Sequence, residues 1–411
     1  MSFDSLGLSD ELLKSLVEQG YSSPSAIQTR AIPAVLSKRD VLAVAQTGTG
    51  KTAAFTLPML QLLSVGASAQ AKSVRALIIT PTRELAAQVA KSVQTYSQLI
   101  NISSVAAFGG VRIEPQIAKL QAGVDALIAT PGRLIDLYNQ QAIDFKQLEI
   151  LVLDEADRML DLGFIDAIQQ IQSLIPNVHQ TLMFSATFTE QIKTLAKGML
   201  DNPLLIEVES ANSTVNSVKQ KVYPVDKSRK TALLIHLLNQ HKWPQVLVFS
   251  RTKQGADHLV LKLEKVGIKS ASIHANRTQH ARTQVLDGFR TGSIKVLVAT
   301  DIASRGIDVN QLPCVINFDL PYEAQDYVHR IGRTGRAGTL GLAISFLSED
   351  ESKQLKLIER LIGQTLEQQL ISGFAPSKKP VAELSDDDEY GNFEPDPKPK
   401  GRGSHLTKRR K

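Results

Sequence analysis

The sequence predicts an α/β protein of two tandem domains, each a mostly parallel sheet covered by helices, with a flexible linker between them. Three observations carry that reading. The 411 residues exceed what one hydrophobic core usually supports. Short runs rich in Val, Ile and Leu recur between helix-like stretches, which is the alternation of a parallel sheet buried on both faces. That alternation lapses once, between Glu207 and Val218, where Ser210-Ala211-Asn212-Ser213-Thr214 crowd together, and then restarts.

In the first half the strand-like runs are Val41 to Ala45, Ala76 to Thr80, Val105 to Phe108, Ala126 to Ala129, Ile150 to Leu153 and Thr181 to Phe184. In the second they are Val246 to Phe249, Ala271 to Ile273, Lys295 to Ala299, Val315 to Phe318 and Leu342 to Phe346. The domains are therefore set at 1–208 and 219–372, with the linker at 209–218 and a tail at 373–411. The tail has an acidic block from Asp386 to Glu389, three prolines between Glu394 and Lys400, and the ending Lys408-Arg409-Arg410-Lys411. Low apolar content with segregated charge reads as disorder. Such a segment is either a solvated tail or a basic tether that adds sequence-independent contacts to phosphates.

Composition narrows the class. A hydrophobic share of 43% argues for folded material. No apolar run approaches the roughly 20 residues of a membrane span, and the opening residues mix Ser, Asp and Leu, which argues against a secretory signal. The single cysteine, Cys314, cannot form an internal disulfide and fits a reducing compartment; its apolar surroundings read as core. A net charge of +6 suits a polyanionic partner, modestly.

The chemistry concentrates in two segments. Ala45-Gln46-Thr47-Gly48-Thr49-Gly50-Lys51-Thr52 follows an apolar run and enters a helix, which lets a glycine loop wrap phosphates with backbone N–H groups. Lys51 would reach the terminal phosphates, and Thr52 would ligate Mg²⁺. The usual pattern starts with Gly where this chain has Ala45. About a hundred residues on, Ile150 to Leu153 delivers Asp154 and Glu155 at a strand's carboxyl end, where open α/β sheets place ligands. Asp154 is suited to hold the metal through water and Glu155 to polarise the attacking water. The second half has Ser250-Arg251-Thr252-Lys253-Gln254-Gly255 at the matching place and no Gly-Lys-Thr, so it must contribute something other than a second cradle.

These segments belong to a series of short motifs through which the chain resembles the DEAD-box RNA helicases, superfamily 2 proteins with two RecA-like domains, over roughly residues 3–372. Asp154-Glu155-Ala156-Asp157 supplies the family's name. Gly20-Tyr21-Ser22-Ser23-Pro24 with Ile27-Gln28 resembles the Q motif. The planar amide of Gln28 has the donor and acceptor needed for the two-atom edge of adenine, and the resemblance implies that Tyr21 stacks on the base and Phe3 supports it. The implied nucleotide is ATP, held also by Gln46, Thr47, Gly48, Thr49 and Gly50.

Pro81-Thr82-Arg83, Gly109-Gly110 and Thr130-Pro131-Gly132-Arg133 each follow an apolar run and resemble the family's RNA-backbone contacts, the last placed to bend one strand. Ser185 and Thr187 resemble the motif coupling ATP to RNA. In His329-Arg330-Ile331-Gly332-Arg333-Thr334-Gly335-Arg336, Arg333 and Arg336 match the family's arginine fingers, while His329 and Arg330 link the ATP site to neighbouring motifs. Asp308 would bond the ribose and Thr300 an RNA phosphate. Gln279 and Arg282 match a further RNA-proximal motif, in which His274 is followed by Ala275 where relatives commonly have Gly.

The resemblance thus implies an RNA-dependent ATPase using ATP and Mg²⁺ to separate short RNA duplexes or remodel RNA–protein complexes with low sequence specificity. Two rivals stand beside it: an ATP-dependent RNA clamp, and a DNA translocase of the same superfamily. The core and the opening Ser2-Phe3-Asp4-Ser5-Leu6-Gly7-Leu8 are most similar to the bacterial RhlE-like branch, which implies a cytoplasmic monomer acting in ribosome assembly or RNA turnover.

Overall fold

The computed structural model describes residues 2–46, 48–208, 218–301, 312–335 and 341–377. Residues 209–217 of the expected linker 209–218, the tail from 378 onward, Thr47, Asp308 and Arg336 lie outside the described residues, and Val218 opens a strand.

The first sheet has seven strands: β1 Val41–Val44, β2 Val74–Ile79, β3 Ser104–Ala107, β4 Val124–Ala129, β5 Ile150–Leu153, β6 Gln180–Ser185 and β7 Leu204–Glu207. Their order is β3-β4-β2-β5-β6-β1-β7. Every pairing is parallel, with Val41 opposite Leu182 and Leu204, and Ile79 opposite Leu153 and Ala129. Alternate residues face opposite sides. Val41 and Ala43 pack with Ile27, Val35, Phe55 and Leu57, while Leu42 and Val44 pack with Leu134, Leu137, Ile168 and Ile192. Both faces are therefore closed by helices, which is why the central strands read as unbroken apolar runs.

The second sheet comprises β8 Val218–Pro224, β9 Val246–Phe249, β10 Ser270–Ile273, β11 Val296–Ala299, β12 Cys314–Asn317 and β13 Gly341–Leu347, in the order β10-β11-β9-β12-β13-β8 and again all parallel. Two strands, β7 and β8, escape the sequence reading. Both lie at sheet edges, and β8 alternates buried Val218 and Val222 with Lys219 and Lys221, so its apolar signal is halved.

The packed chain also continues past residue 372. Phe374 lies 5.3 Å from the His236 ring and 5.2 Å from the Arg229 guanidinium, and the Ser377 N–H donates to both carboxylate oxygens of Asp226 at 3.1 Å. The last helix, Ser352–Ile362, is anchored at its start by Glu351, which is buried and accepts from Lys230 Nζ at 2.6 Å, Arg251 Nη2 at 2.8 Å and the Leu320 N–H at 2.9 Å.

One buried polar knot holds the connections of the first sheet. Arg75 on β2 donates to Leu63 O at 2.9 Å, Asp125 at 3.3 Å and Glu149 at 2.6 Å. Asp125 on β4 accepts further from the N–H groups of Ala69 and Ser103 and from the Ser103 hydroxyl. Burial alone would raise the Asp125 carboxyl, but the Ser103 donors, with Ala69 and Arg75, together hold it below the usual range. A carboxyl depressed in the folded state stabilises above its unfolded pKa of about 3.9 and loses that contribution as pH falls through the lower, folded value. Asp125→Ala is expected to destabilise the first domain by about 3–5 kcal/mol at neutral pH, since it leaves Arg75 short of a buried partner. Denaturant unfolding across pH checks this: the difference from the parent should shrink below about pH 4.

Candidate active site and nucleic-acid interface

The phosphate loop is shaped by its glycines. Gly48 and Gly50 have φ of 83° and 92°, the left-handed region that a Cβ disfavours. A Cβ on Gly50 would also lie 2.4 Å from Gln28 Nε2. Thr49 Oγ1 donates to Gln46 O at 2.8 Å and tightens the turn, and the helix Lys51–Ser64 starts directly after it with Thr52 in its first turn. The loop's backbone N–H groups thus converge at a helix N-terminus. Lys51 is only 6% exposed, and its Nζ has no hydrogen-bond partner among the described residues.

Facing the loop, β5 ends in Asp154 and Glu155. Asp154 is buried, and its N–H donates to Ile79 O at 3.0 Å. Glu155 has φ of 53°, a strained backbone for a residue with a Cβ, and opens the short helix Ala156–Asp161. Burial and the neighbouring Glu155 push the Asp154 carboxyl up to about 7, with Lys51 pulling against them. Burial also raises Glu155, opposed first by Lys51 and further by Arg333 of the second domain. Asp157 accepts from the Ala186 N–H at 3.0 Å. That contact ties this segment to the Ser185–Thr187 turn, in which the Thr187 N–H donates to Ser185 Oγ at 3.2 Å.

The Q-motif residues sit behind the loop. Gln28 Oε1 accepts from the Ser25 N–H at 2.9 Å, and Nε2 donates to Gly50 O at 3.2 Å. One N–H and one oxygen lone pair of the amide remain. Tyr21 is exposed, meets the buried Phe3 ring edge-on at 6.2 Å, and shares a 2.9 Å hydroxyl contact with Tyr96. Tyr96 ends the helix Arg83–Tyr96.

The two domains meet across this face. Glu84, buried at the start of that same helix, accepts from Gln279 Nε2 at 2.9 Å and pairs with Arg282 at 3.0 Å. Arg83 Nη1 lies 3.5 Å from Gln279 Oε1, and a Cβ on Gly110 would fall 1.9 Å from the same Arg83 nitrogen, so the Gly109-Gly110 turn is pressed against it. Thr82 caps the helix by accepting from the Leu85 N–H at 3.2 Å, directly after Pro81. Thr130 precedes the helix Pro131–Asn139, where a Cβ on Gly132 would meet open space. Arg133 donates to Val111 O, while its Nε and Nη1 are buried without a hydrogen-bond partner among the described residues. Thr300 is buried at the carboxyl end of β11.

Nearer the carboxylates, Arg158 Nη1 lies 2.8 Å from Asp161 and 3.9 Å from Asp326 of the second domain. Burial lowers the His329 pKa, with Asp157 opposing across the interface and Arg158 and Arg333 adding to the depression. Arg330 plays a different part from the others. It forks onto Asp301 at 2.6 and 2.7 Å and donates to Asn317 and to Asp319 O, all within the second domain. The sequence reading assigns no role of their own to Glu84, Asp157, Arg158, Asp301 or Asp326. Glu84 and Gln279 are 195 residues apart, and nothing local pairs them.

Family models match residues 25–195 as a DEAD/DEAH box helicase and residues 229–338 as a helicase conserved C-terminal domain. The chain is 41% identical to the ATP-dependent RNA helicase RhlB of Pseudomonas syringae, over 89% of this chain and 93% of that one. It superposes on Saccharomyces cerevisiae Dbp5 bound to RNA and ADP-BeF3 with a TM-score of 0.81 at 33% identity, covering 91% of this chain and 95% of Dbp5. Against a Dbp5 point variant bound to Nup159, a Gle1 variant, IP6 and ADP the score is 0.63 at 32% identity, with 91% and 96% covered. Two parallel-sheet α/β domains with their strand ends facing define a tandem helicase core. The chain belongs to the DEAD-box ATP-dependent RNA helicases, and it superposes better on the RNA-bound Dbp5 than on the Nup159-bound one.

The cross-domain pair yields a direct expectation. Glu84→Ala should raise the RNA concentration needed for half-maximal ATPase stimulation at least tenfold, because it leaves Arg282 buried opposite an empty position; tenfold is about 1.4 kcal/mol. Nucleotide binding without RNA should be unchanged, as read by fluorescent-nucleotide titration.

Proposed function

We propose that this RNA-dependent ATPase separates short RNA duplexes, or remodels RNA–protein complexes, by closing its two domains on single-stranded RNA. The observation that carries the reading is the clasp between the domains, Glu84 on Arg282 at 3.0 Å and Arg158 toward Asp326 at 3.9 Å, which lets the charge of Arg333 bear on Glu155. Neither domain alone holds both groups.

ATP and Mg²⁺ are the family's cofactors, and the residues present fit them. The buried Lys51 ammonium, with no hydrogen-bond partner among the described residues, is a cation awaiting phosphate oxygens, and the glycine loop has no room for a side chain at Gly50. When bound, Mg²⁺-ATP supplies the transferable γ-phosphoryl group and a divalent charge against its oxygens. Thr52 and Asp154 would ligate the ion, Asp154 through water. Glu155 accepts a hydrogen bond from the attacking water and orients it. Arg333, and Arg336 by its match to the family motif, bring guanidinium charge to the developing negative charge only on closure. His329, on which Asp157 of the first domain acts electrostatically, would link the ATP site to the neighbouring motifs. Asp308, by its match to the family motif, would complete the nucleotide contacts at the ribose.

On the RNA side, Thr82, Arg83, Gly109, Gly110, Thr130, Gly132, Arg133, Gln279, Arg282 and Thr300 offer donors to phosphates. Backbone contacts carry little base information, so specificity in the core is low. RNA rather than DNA is favoured by the naming of the relatives as RNA helicases. Among the described residues no helix is long and apolar enough to cross a membrane. Cytoplasmic residence, a monomeric state and work on ribosomal precursors or in RNA turnover extend this reading. They rest on the likeness to the RhlE-like branch and would be tested by crosslinking and sequencing of RNA bound in cells.

Two variants test closure from opposite sides. Glu155→Gln keeps the shape of the site but removes the carboxylate that orients water, so it should accumulate closed protein on single-stranded RNA with ATP, read by a distance probe between the domains. Arg333→Ala should still bind ATP but lose at least about a thousandfold in RNA-stimulated turnover. An open Glu155→Gln complex or near-normal hydrolysis in Arg333→Ala would overturn the reading. The base edge is tested separately: ATP should support unwinding and GTP should not, and Gln28→Ala should weaken ATP binding. Equal activity with both nucleotides would remove Gln28 from this role.

A further inference from the structure

The last helix, Ser352–Ile362, carries two faces. Leu355 and Ile358 are buried with Tyr327, Ile331 and Val222. On the opposite side Lys353, Lys356, Leu357, Arg360 and Leu361 follow the i, i+3, i+4, i+7, i+8 spacing of a single stripe, and all five are exposed. Leu357 and Leu361 are 55% and 48% exposed. None of the three cations forms an ion pair among the described residues. A charged outer face with scattered leucines is ordinary by itself. Here the chain also supplies a matching segment and brings it within reach.

Beyond Gly363 the chain crosses the open edge of β8. The Val222 N–H donates to Glu367 O and the Gln369 N–H to Val222 O, and the path ends with Ser377 held on Asp226. Lys230, four residues after Asp226, donates to Glu351 at 2.6 Å, one position before the helix begins. The described chain therefore ends near the amino end of the striped helix. Eight residues lie between Ser377 and Asp386. They span up to about 30 Å, whereas an 11-residue helix is about 16 Å long. The segment then reads Asp386-Asp387-Asp388-Glu389-Tyr390-Gly391-Asn392-Phe393-Glu394, five carboxylates and two aromatic rings.

We propose that the outer face of helix Ser352–Ile362 docks the acidic, aromatic segment Asp386–Glu394 of the same chain. Lys353, Lys356 and Arg360 face its carboxylates, and Tyr390 and Phe393 cover Leu357 and Leu361. Exposed pairs of this kind are individually weak. The short tether nevertheless presents the segment at an effective concentration of about millimolar, so weak complementarity is sufficient for occupancy. Docking also withdraws a block of negative charge that would otherwise compete with RNA phosphates, leaving Lys408 to Lys411 unopposed.

The test uses the full chain, whose native Cys314 is buried. Leu357→Cys combined with Tyr390→Cys is oxidised and the intramolecular disulfide followed by mass spectrometry, with Val65→Cys plus Tyr390→Cys as the reference pair, Val65 being exposed on the first domain. The helix pair is expected to bridge at least about tenfold faster, and to slow at high salt. Lys353→Glu, Lys356→Glu and Arg360→Glu together should bring it down to the reference rate, and adding Asp386→Lys, Asp387→Lys and Asp388→Lys should restore it. Equal rates, or rates that ignore the charge reversals, overturn the proposal. So does a bridge between two molecules, which assigns the face to a second copy. Loss of RNA affinity on the same helix reversals in protein lacking residues 378–411 assigns the face to RNA and likewise overturns it.

Discussion

Every described strand pairing in both sheets is parallel, so the polar residue that follows each strand emerges at the same, carboxyl edge of its sheet. That directional constraint places the rest of the site. Asp154 leaves β5 beside the glycine loop leaving β1, and Ser185 ends β6 between them in the strand order. In the second sheet Thr300 leaves β11 and the Gln279 helix follows β10 at the same edge. With the two edges opposed, groups far apart in the chain become neighbours without any strand having to reverse.

The charges at that junction are balanced between domains. The first domain concentrates Asp154, Glu155 and Asp157 around one buried lysine, and burial drives the two leading carboxyls upward. The second brings Arg333, and the first sends Arg158 outward to Asp326. Burying like charges together is costly unless a counter-charge arrives. Separate domains make part of that arrival conditional: Lys51 and Arg158 supply counter-charge from within the first domain, and Arg333 adds to it only from the second.

Legibility in the sequence follows the locality of each signal. Central strands such as Ile150–Leu153 are readable because both faces are buried, whereas β8 is not, since alternate residues of an edge strand point to solvent. The glycine loop and Asp154-Glu155 are readable as contiguous words. The Glu84–Arg282 pair and the Arg158–Asp326 contact are not, because each half is an ordinary charged residue until folding sets it beside the other. Arg330 shows the converse. Its motif marks it, yet its fork is occupied by Asp301 and by carbonyl oxygens of its own domain. The end of the second domain escapes the sequence because the packing of Phe374 on His236 and Arg229 is invisible in a stretch rich in Gly, Ser and Pro.

The helix Arg83–Tyr96 joins two of these places. Its first turn holds Glu84, clasped by the second domain, and its last residue holds the hydroxyl of Tyr21. Fourteen residues of α-helix make a strut about 21 Å long whose hydrogen-bonded backbone resists stretching. Its ends cannot shift independently, so a tilt imposed where the domains clasp must reappear, as a lever's far end does, beside the aromatic ring of Tyr21.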